Sequence, residues 1–115
     1  MSRSIYNKLV RDFIPKKIAD AGDVCEVRKL EEGEFIPALL AKVVEEATEL
    51  QNAKTRDEIL AEYADVMVAL DAFTRHYEFS EADIMEAIGK NIEKKGLFNE
   101  RFFLEWSEHT NGTKK

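Results

Sequence analysis

Cysteine, histidine and proline are scarce in this chain: one Cys (Cys25), two His and two Pro among 115 residues. A lone cysteine excludes an internal disulfide and fits a reducing compartment. With no histidine near it in sequence, Cys25 reads as a small buried hydrophobe, not a nucleophile. One cysteine and two histidines are too few for an ordinary zinc site, so any metal here is held by oxygen. No apolar run approaches the ~20 residues that span a bilayer. The opening MSRSIYNKLVRDF has no apolar stretch of the kind that directs secretion. These absences set the expectation of a cytoplasmic protein with no membrane partner. Linkers, internal repeats and low-complexity segments are absent too, which leaves one domain over residues 1–106 and a polar tail over 107–115.

What the chain does have is charge and helix-forming apolar sequence. A hydrophobic content of 44% with 35% charged residues describes a folded, helix-rich protein and not a disordered one. The net charge of −6 is unevenly spread. Residues 1–30 hold seven basic and four acidic side chains, residues 31–86 four basic and fifteen acidic, and residues 87–115 six basic and four acidic. An acidic middle argues against a nucleic-acid polymer as partner, since that surface is basic. Basic ends folded over an acidic centre suit a small polyphosphate and its metal ions.

Taken in order, Tyr6–Pro15 (YNKLVRDFIP) sets Asn7, Lys8, Arg11 and Asp12 among apolar residues. Pro15 suits the first turn of a short helix that runs to about Ala21 and stops at Gly22. Val24–Leu30 alternates weakly and is an extended segment or a loop. A long amphipathic helix follows over Glu34–Ala53, with Pro37 tolerable only near its start. Thr55 and Glu58 make a capping box for the next helix, which runs to about Tyr77. The short turn between these two helices forces an antiparallel pair. The centre of the second, Val66–Leu70, is apolar nearly all round and should be covered by further helices or a second subunit. Asp71, beside that run, suits a hydrogen bond within the bundle or at a dimer interface. Ser80 and Asp83 cap a helix that ends at Gly96, and Leu97–Trp106 packs Phe98, Phe102, Phe103 and Trp106 into core or interface. The expected fold is all-α, a bundle of four to five helices around an antiparallel central pair, completed by dimerisation or tetramerisation.

The acidic residues are ordered on the two central helices. Leu39–Leu50 (LLAKVVEEATEL) carries Glu45, Glu46 and Glu49, and Glu58–Leu70 (EILAEYADVMVAL) carries Glu62 and Asp65. A spacing of three sets Glu46 beside Glu49, and Glu62 beside Asp65, on one face of each helix. Like charges so placed repel. An antiparallel hairpin brings the two pairs to comparable heights, and hard divalent cations take oxygen ligands of this kind. A solvated acidic face is the plainer explanation of either motif alone, but both adjoin apolar stripes. A calcium loop is not indicated, because no DxDxDG-type segment is present.

EExxE, twelve intervening residues and ExxD resemble the signature of the all-α nucleoside triphosphate pyrophosphohydrolases. The chain is similar to their MazG-like branch, which includes phosphoribosyl-ATP pyrophosphohydrolase, and YNKLVRDFIP looks like the N-terminal stretch of its small members. The resemblance covers roughly residues 5–100. It implies a dimeric or tetrameric helical bundle, dependence on Mg²⁺ with Mn²⁺ as a substitute, and cleavage of a nucleotide between its α- and β-phosphates. By position, Glu46, Glu49, Glu62 and Asp65 match the metal ligands. Glu45 matches the leading glutamate, an outer ligand or the base for the attacking water; Glu45 and Glu46 are the catalytic candidates. Lys8, Arg11, Lys42, Lys90, Asn91, Lys94, Lys95 and Arg101 are candidates for holding phosphates by charge and placement. Arg11 leads them, with loss of its side chain expected to weaken phosphate binding and leave metal binding unchanged. Housekeeping removal of surplus or noncanonical nucleotides is the expected role. Phosphoribosyl-ATP hydrolysis in histidine synthesis and a non-catalytic helical interaction module are the alternatives.

Overall fold

Residues 2–109 are described by the computed structural model, and among them the regular structure is wholly α-helical. The helices are α1 (Ile14–Asp20), α2 (Glu32–Asn52), α3 (Arg56–His76) and α4 (Glu81–Lys95). Val24–Leu30 is a loop. None of these helices is long and apolar enough to cross a membrane.

Local chemistry sets each boundary. Pro15 lies in the first turn of α1, where its missing N–H leaves nothing unsatisfied, and Gly22 follows the last turn with φ +87. The long helix starts at Glu32, two residues earlier than its apolar stripe indicates. The cause is Glu34, whose carboxylate accepts the backbone N–H of Glu31 at 2.9 Å and is gripped by both terminal nitrogens of Arg28, also at 2.9 Å. Pro37 therefore sits inside α2, beyond the first turn. The α3 cap is half of the expected box: Thr55 Oγ1 accepts the Glu58 N–H at 3.1 Å, but the Glu58 carboxylate reaches past Thr55 to the N–H of Lys54, at 2.9 Å. At α4 both halves form, between Ser80 and Asp83.

The chain divides into two compact units at Phe79/Ser80. In the first, α2 and α3 pack together as a helical hairpin through the three-residue turn at Ala53–Thr55. Its apolar core is thin, with Leu39 and Ala69 the buried apolar side chains among the described residues. The apolar run on α3 is only partly covered: Ala69 is buried, whereas Met67, Val68 and Leu70 are exposed. Asp71 is exposed as well and pairs along its own helix with Arg75. Cys25, expected inside, is exposed in the loop before α2, where no element packs over it to exclude water.

The second unit holds α4, which stops at Gly96 (φ +79), a backbone conformation that glycine adopts without strain. Leu97–Trp106 forms no helix, and Phe98, Phe102, Phe103 and Trp106 are exposed, not packed into a core of this chain. The charged face of α4 pairs locally, Lys90 with Glu86 at 3.4 Å.

Candidate metal centre

Glu46, Glu49 and Glu62 meet between α2 and α3, with Glu46 buried, Glu62 partly covered and Glu49 exposed. Residues three apart on a helix share a face. The hairpin therefore apposes the Glu46/Glu49 face to that of Glu62. One carboxylate oxygen from each of these three lies within 4.8 Å of the others. Glu46 is the most enclosed of them, 7% exposed, and its neighbour Lys42 is largely buried too. Two oxygens in the cluster, Glu46 Oε2 and Glu62 Oε2, are buried without a hydrogen-bond partner. Buried carboxylate oxygens are normally hydrogen-bonded or ligated, because removing charge from water is otherwise costly. Oxygen donors, closely grouped and lacking donors of their own, fit a hard divalent cation.

A ring of the chain's own cations stands beside this cluster. Lys42 Nζ lies 3.1 Å from Glu45 Oε2 and 3.3 Å from Glu46 Oε1, bridging adjacent glutamates from one turn away. Lys8, from the segment before α1, donates to Glu45 Oε1 at 2.7 Å. Glu45 thus carries an ammonium on each oxygen. The hydrogen bond from Lys8 holds its carboxyl below the usual glutamate range; partial burial opposes this, and Lys42 adds to it. A carboxylate so held is a poor proton acceptor. Burial pulls the Lys42 ammonium down, but the bonds to Glu45 and Glu46 outweigh it and the net shift is upward. Glu62 moves the other way from Glu45: burial first, then the charges of Glu49 and Asp65, raise its carboxyl.

Asp65 stands apart from the three-glutamate cluster. Its Oδ1 lies 3.5 Å from Arg11 Nη1 in a half-exposed ion pair. Asn7 turns the chain into this region with φ +46, a left-handed conformation that asparagine tolerates. A small pocket of about 110 Å³ lies between this segment and α2, lined by Asn7, Lys8, Leu9, Ala38, Ala41, Lys42 and Glu45.

Of the residues picked out by sequence, Glu45, Glu46, Glu49, Glu62, Asp65, Lys8, Arg11 and Lys42 are brought to this one region. Lys90, Asn91, Lys94, Lys95 and Arg101 belong to the second unit. The ammonium of Lys42 is set against Glu45 and Glu46 on its own helix. The signal for this was present: Lys42, Glu45 and Glu46 have the i,i+3 and i,i+4 spacing of helical ion pairs.

A relative from Mycolicibacterium smegmatis, described as an uncharacterized protein, is 45% identical over 53 residues, which is 46% of this chain and 54% of that protein. The chain thus matches about half the length of that relative. No protein-family profile matches the chain. No solved structure matches it.

Proposed function

We propose that this chain is a Mg²⁺-dependent nucleotide pyrophosphohydrolase of the MazG-like kind, with a housekeeping role in the cytoplasm. Its substrate is a nucleotide cleaved between the α- and β-phosphates. The observation that carries this reading is the pair of buried, donor-free oxygens, Glu46 Oε2 and Glu62 Oε2, in a three-carboxylate cluster at the spacing of the two acidic motifs.

Glu46, Glu49 and Glu62 hold the cation, with Asp65 at the edge of the set. A divalent cation held there supplies charge neutralisation at the phosphates and acidifies water; Mn²⁺ can replace Mg²⁺. Lys42 fixes one oxygen of Glu46 and leaves the other for this work. Glu45, with an ammonium on each oxygen, orients Lys8 and Lys42 and is not the base. Proton acceptance falls to a carboxylate oxygen of this set that neither an ammonium nor the cation occupies. Water attacks the α-phosphorus, the bond from it to the bridging oxygen breaks, and the water's proton passes to the carboxylate. The products are a nucleoside monophosphate and pyrophosphate, with no covalent intermediate. Arg11, half-exposed beside Asp65, is the cation that holds a phosphate in this reading.

The protein acts as a homodimer or larger assembly in this reading. Support comes from the thin core of the α2–α3 hairpin and from the exposed apolar residues Leu60, Tyr63, Met67 and Val68 along α3, a surface that monomers seldom leave open. The deciding experiment is a product assay on a panel of nucleotides with and without Mg²⁺. Release of monophosphate and pyrophosphate only with the metal is the expected result. No turnover of any nucleotide would leave the helical interaction module as the better reading.

A further inference from the structure

The segment Asn7–Arg11 is tied to both helices of the hairpin, and its two ties are unequal. Lys8 Nζ meets Glu45 Oε1 at 2.7 Å, and Glu45 is braced from the other side by Lys42 at 3.1 Å. Arg11 Nη1 stands 3.5 Å from Asp65 Oδ1, and both side chains are about half exposed. Exposed ion pairs beyond hydrogen-bonding distance are weak and readily exchanged. Asp65 is one helical turn from Glu62, a member of the three-glutamate cluster, but outside that cluster as it stands, so its carboxylate joins a cation there only by turning away from Arg11. Resting on the pyrophosphohydrolase reading, we propose that Asn7–Arg11 is a strap with one fixed and one exchangeable end. Lys8 stays on Glu45, whereas Arg11 leaves Asp65 for a phosphate oxygen when that carboxylate turns to a divalent cation.

The exchange follows from the chemistry of both partners. A guanidinium grips a phosphate through a planar fork, a stronger arrangement than its single long contact with Asp65. A carboxylate cannot serve Arg11 and a dication equally, since the two positive charges repel across it. Arg11 and the cation therefore compete for Asp65, while phosphate and the cation help one another. Thermodynamic linkage makes that help reciprocal: the phosphate that draws Arg11 away tightens the cation by the same factor that the cation tightens the phosphate. Fixed at Lys8, the strap has only a few residues in which to move, so Arg11 is kept near the phosphates it would hold. The sequence-based expectation that Arg11 leaves metal binding untouched is replaced by one with a sign: removing Arg11 tightens the metal.

The test is a Mn²⁺ titration of the full chain, followed by paramagnetic resonance at low ionic strength, comparing wild type, Arg11→Gln and Lys17→Gln. Lys17, exposed on α1, controls for the loss of one positive charge. Arg11→Gln should bind Mn²⁺ roughly 3–10-fold more tightly than wild type, a coupling in the ordinary range, and Lys17→Gln should match wild type. Inorganic pyrophosphate added to the Mn²⁺-loaded proteins should bind Arg11→Gln at least about tenfold more weakly than wild type. Trypsin gives a second readout: in wild type, cleavage after Arg11 should quicken with Mn²⁺ and slow again when pyrophosphate is added. Equal or weaker Mn²⁺ binding by Arg11→Gln, with wild type binding the ion, overturns the exchange and leaves the enzymatic reading standing. A wild type that binds no Mn²⁺ overturns both.

Discussion

Glu46 on α2 and Glu62 on α3 meet across the helical hairpin, each keeping one buried oxygen, Oε2, that no donor in the described chain satisfies. Around them the charges are sorted. Glu45 and Asp65 are occupied by Lys8, Lys42 and Arg11. Glu49 and Glu62 have no ion-pair partner among the described residues. Glu46 belongs to both groups, since Lys42 lies 3.3 Å from its Oε1 while its Oε2 has no donor.

The first prediction concerns the ligands. Glu46→Ala, Glu49→Ala and Glu62→Ala should each lower Mg²⁺-dependent turnover by at least about 100-fold, a loss expected when a metal-holding group is removed. Asp65→Ala should also lose activity, with a smaller loss of Mn²⁺ affinity than the other three, because it stands outside the cluster. Circular dichroism should show an unchanged helical signal in all four. Wild-type turnover by Glu49→Ala defeats the metal assignment.

Lys42 should matter to stability as well as to activity. Lys42→Met keeps the apolar length of the side chain but leaves Glu46 enclosed without its ammonium. Denaturant unfolding should show a loss of about 1–3 kcal/mol, the range for a largely buried carboxylate deprived of its partner. Lys42→Arg should recover much of it. A Met variant as stable as wild type would show that the bridge contributes nothing measurable.

Two carboxylates give pH dependences of opposite sign. The hydrogen bonds from Arg28 and the Glu31 backbone hold Glu34 at about 2, so its contribution is present above the ordinary glutamate range and is lost as pH falls towards about 2. Thermal melts should therefore place Glu34→Gln below wild type at pH 7, with the gap narrowing on acidification through that window. Glu62 is raised by burial and by Glu49 and Asp65, so its ionised form disfavours the folded state at neutral pH. In EDTA, Glu62→Gln should melt roughly 1–3 °C above wild type at pH 7.5. That gain should fade as pH falls through the raised value, where wild-type Glu62 takes up its proton. A gap for Glu62→Gln that widens on acidification would contradict the sign.

Assembly is the fourth point. Val68 is exposed on α3 beside the buried Ala69. Sedimentation should find wild type as a dimer or larger species at micromolar concentration. Val68→Asp should give monomers or aggregates, since a charge there opposes burial by a second copy. A stable wild-type monomer removes the argument for a shared interface.

Periodicity and capping chemistry are local, and they made much of the architecture legible in advance. The apolar stripe of α2, Pro15 at the head of α1, the Ser80/Asp83 box and the stop at Gly96 each depend on residues within one or two turns. The short turn before Thr55 likewise dictated an antiparallel hairpin, and with it the meeting of Glu46, Glu49 and Glu62. Where the reading missed, a competing partner lay just outside the local window. Arg28, three residues before the cap at Glu31, drew Glu34 into an early start for α2, and Lys54 took the carboxylate that Thr55 was expected to share.

Burial, and the pairing of charges distant in sequence, were decided by the tertiary structure alone. Composition marked Cys25 and the aromatics of Leu97–Trp106 for the interior, yet whether a side chain is covered depends on what packs over it, and nothing in the described chain covers these. The same holds for the site. Sequence placed five acidic and several basic residues in reach of one another but could not say which would pair, because Coulomb attraction acts through space and is fixed by distances of a few ångströms. Lys8 lies 37 residues from Glu45, and only the folded chain sets its ammonium 2.7 Å from that carboxylate.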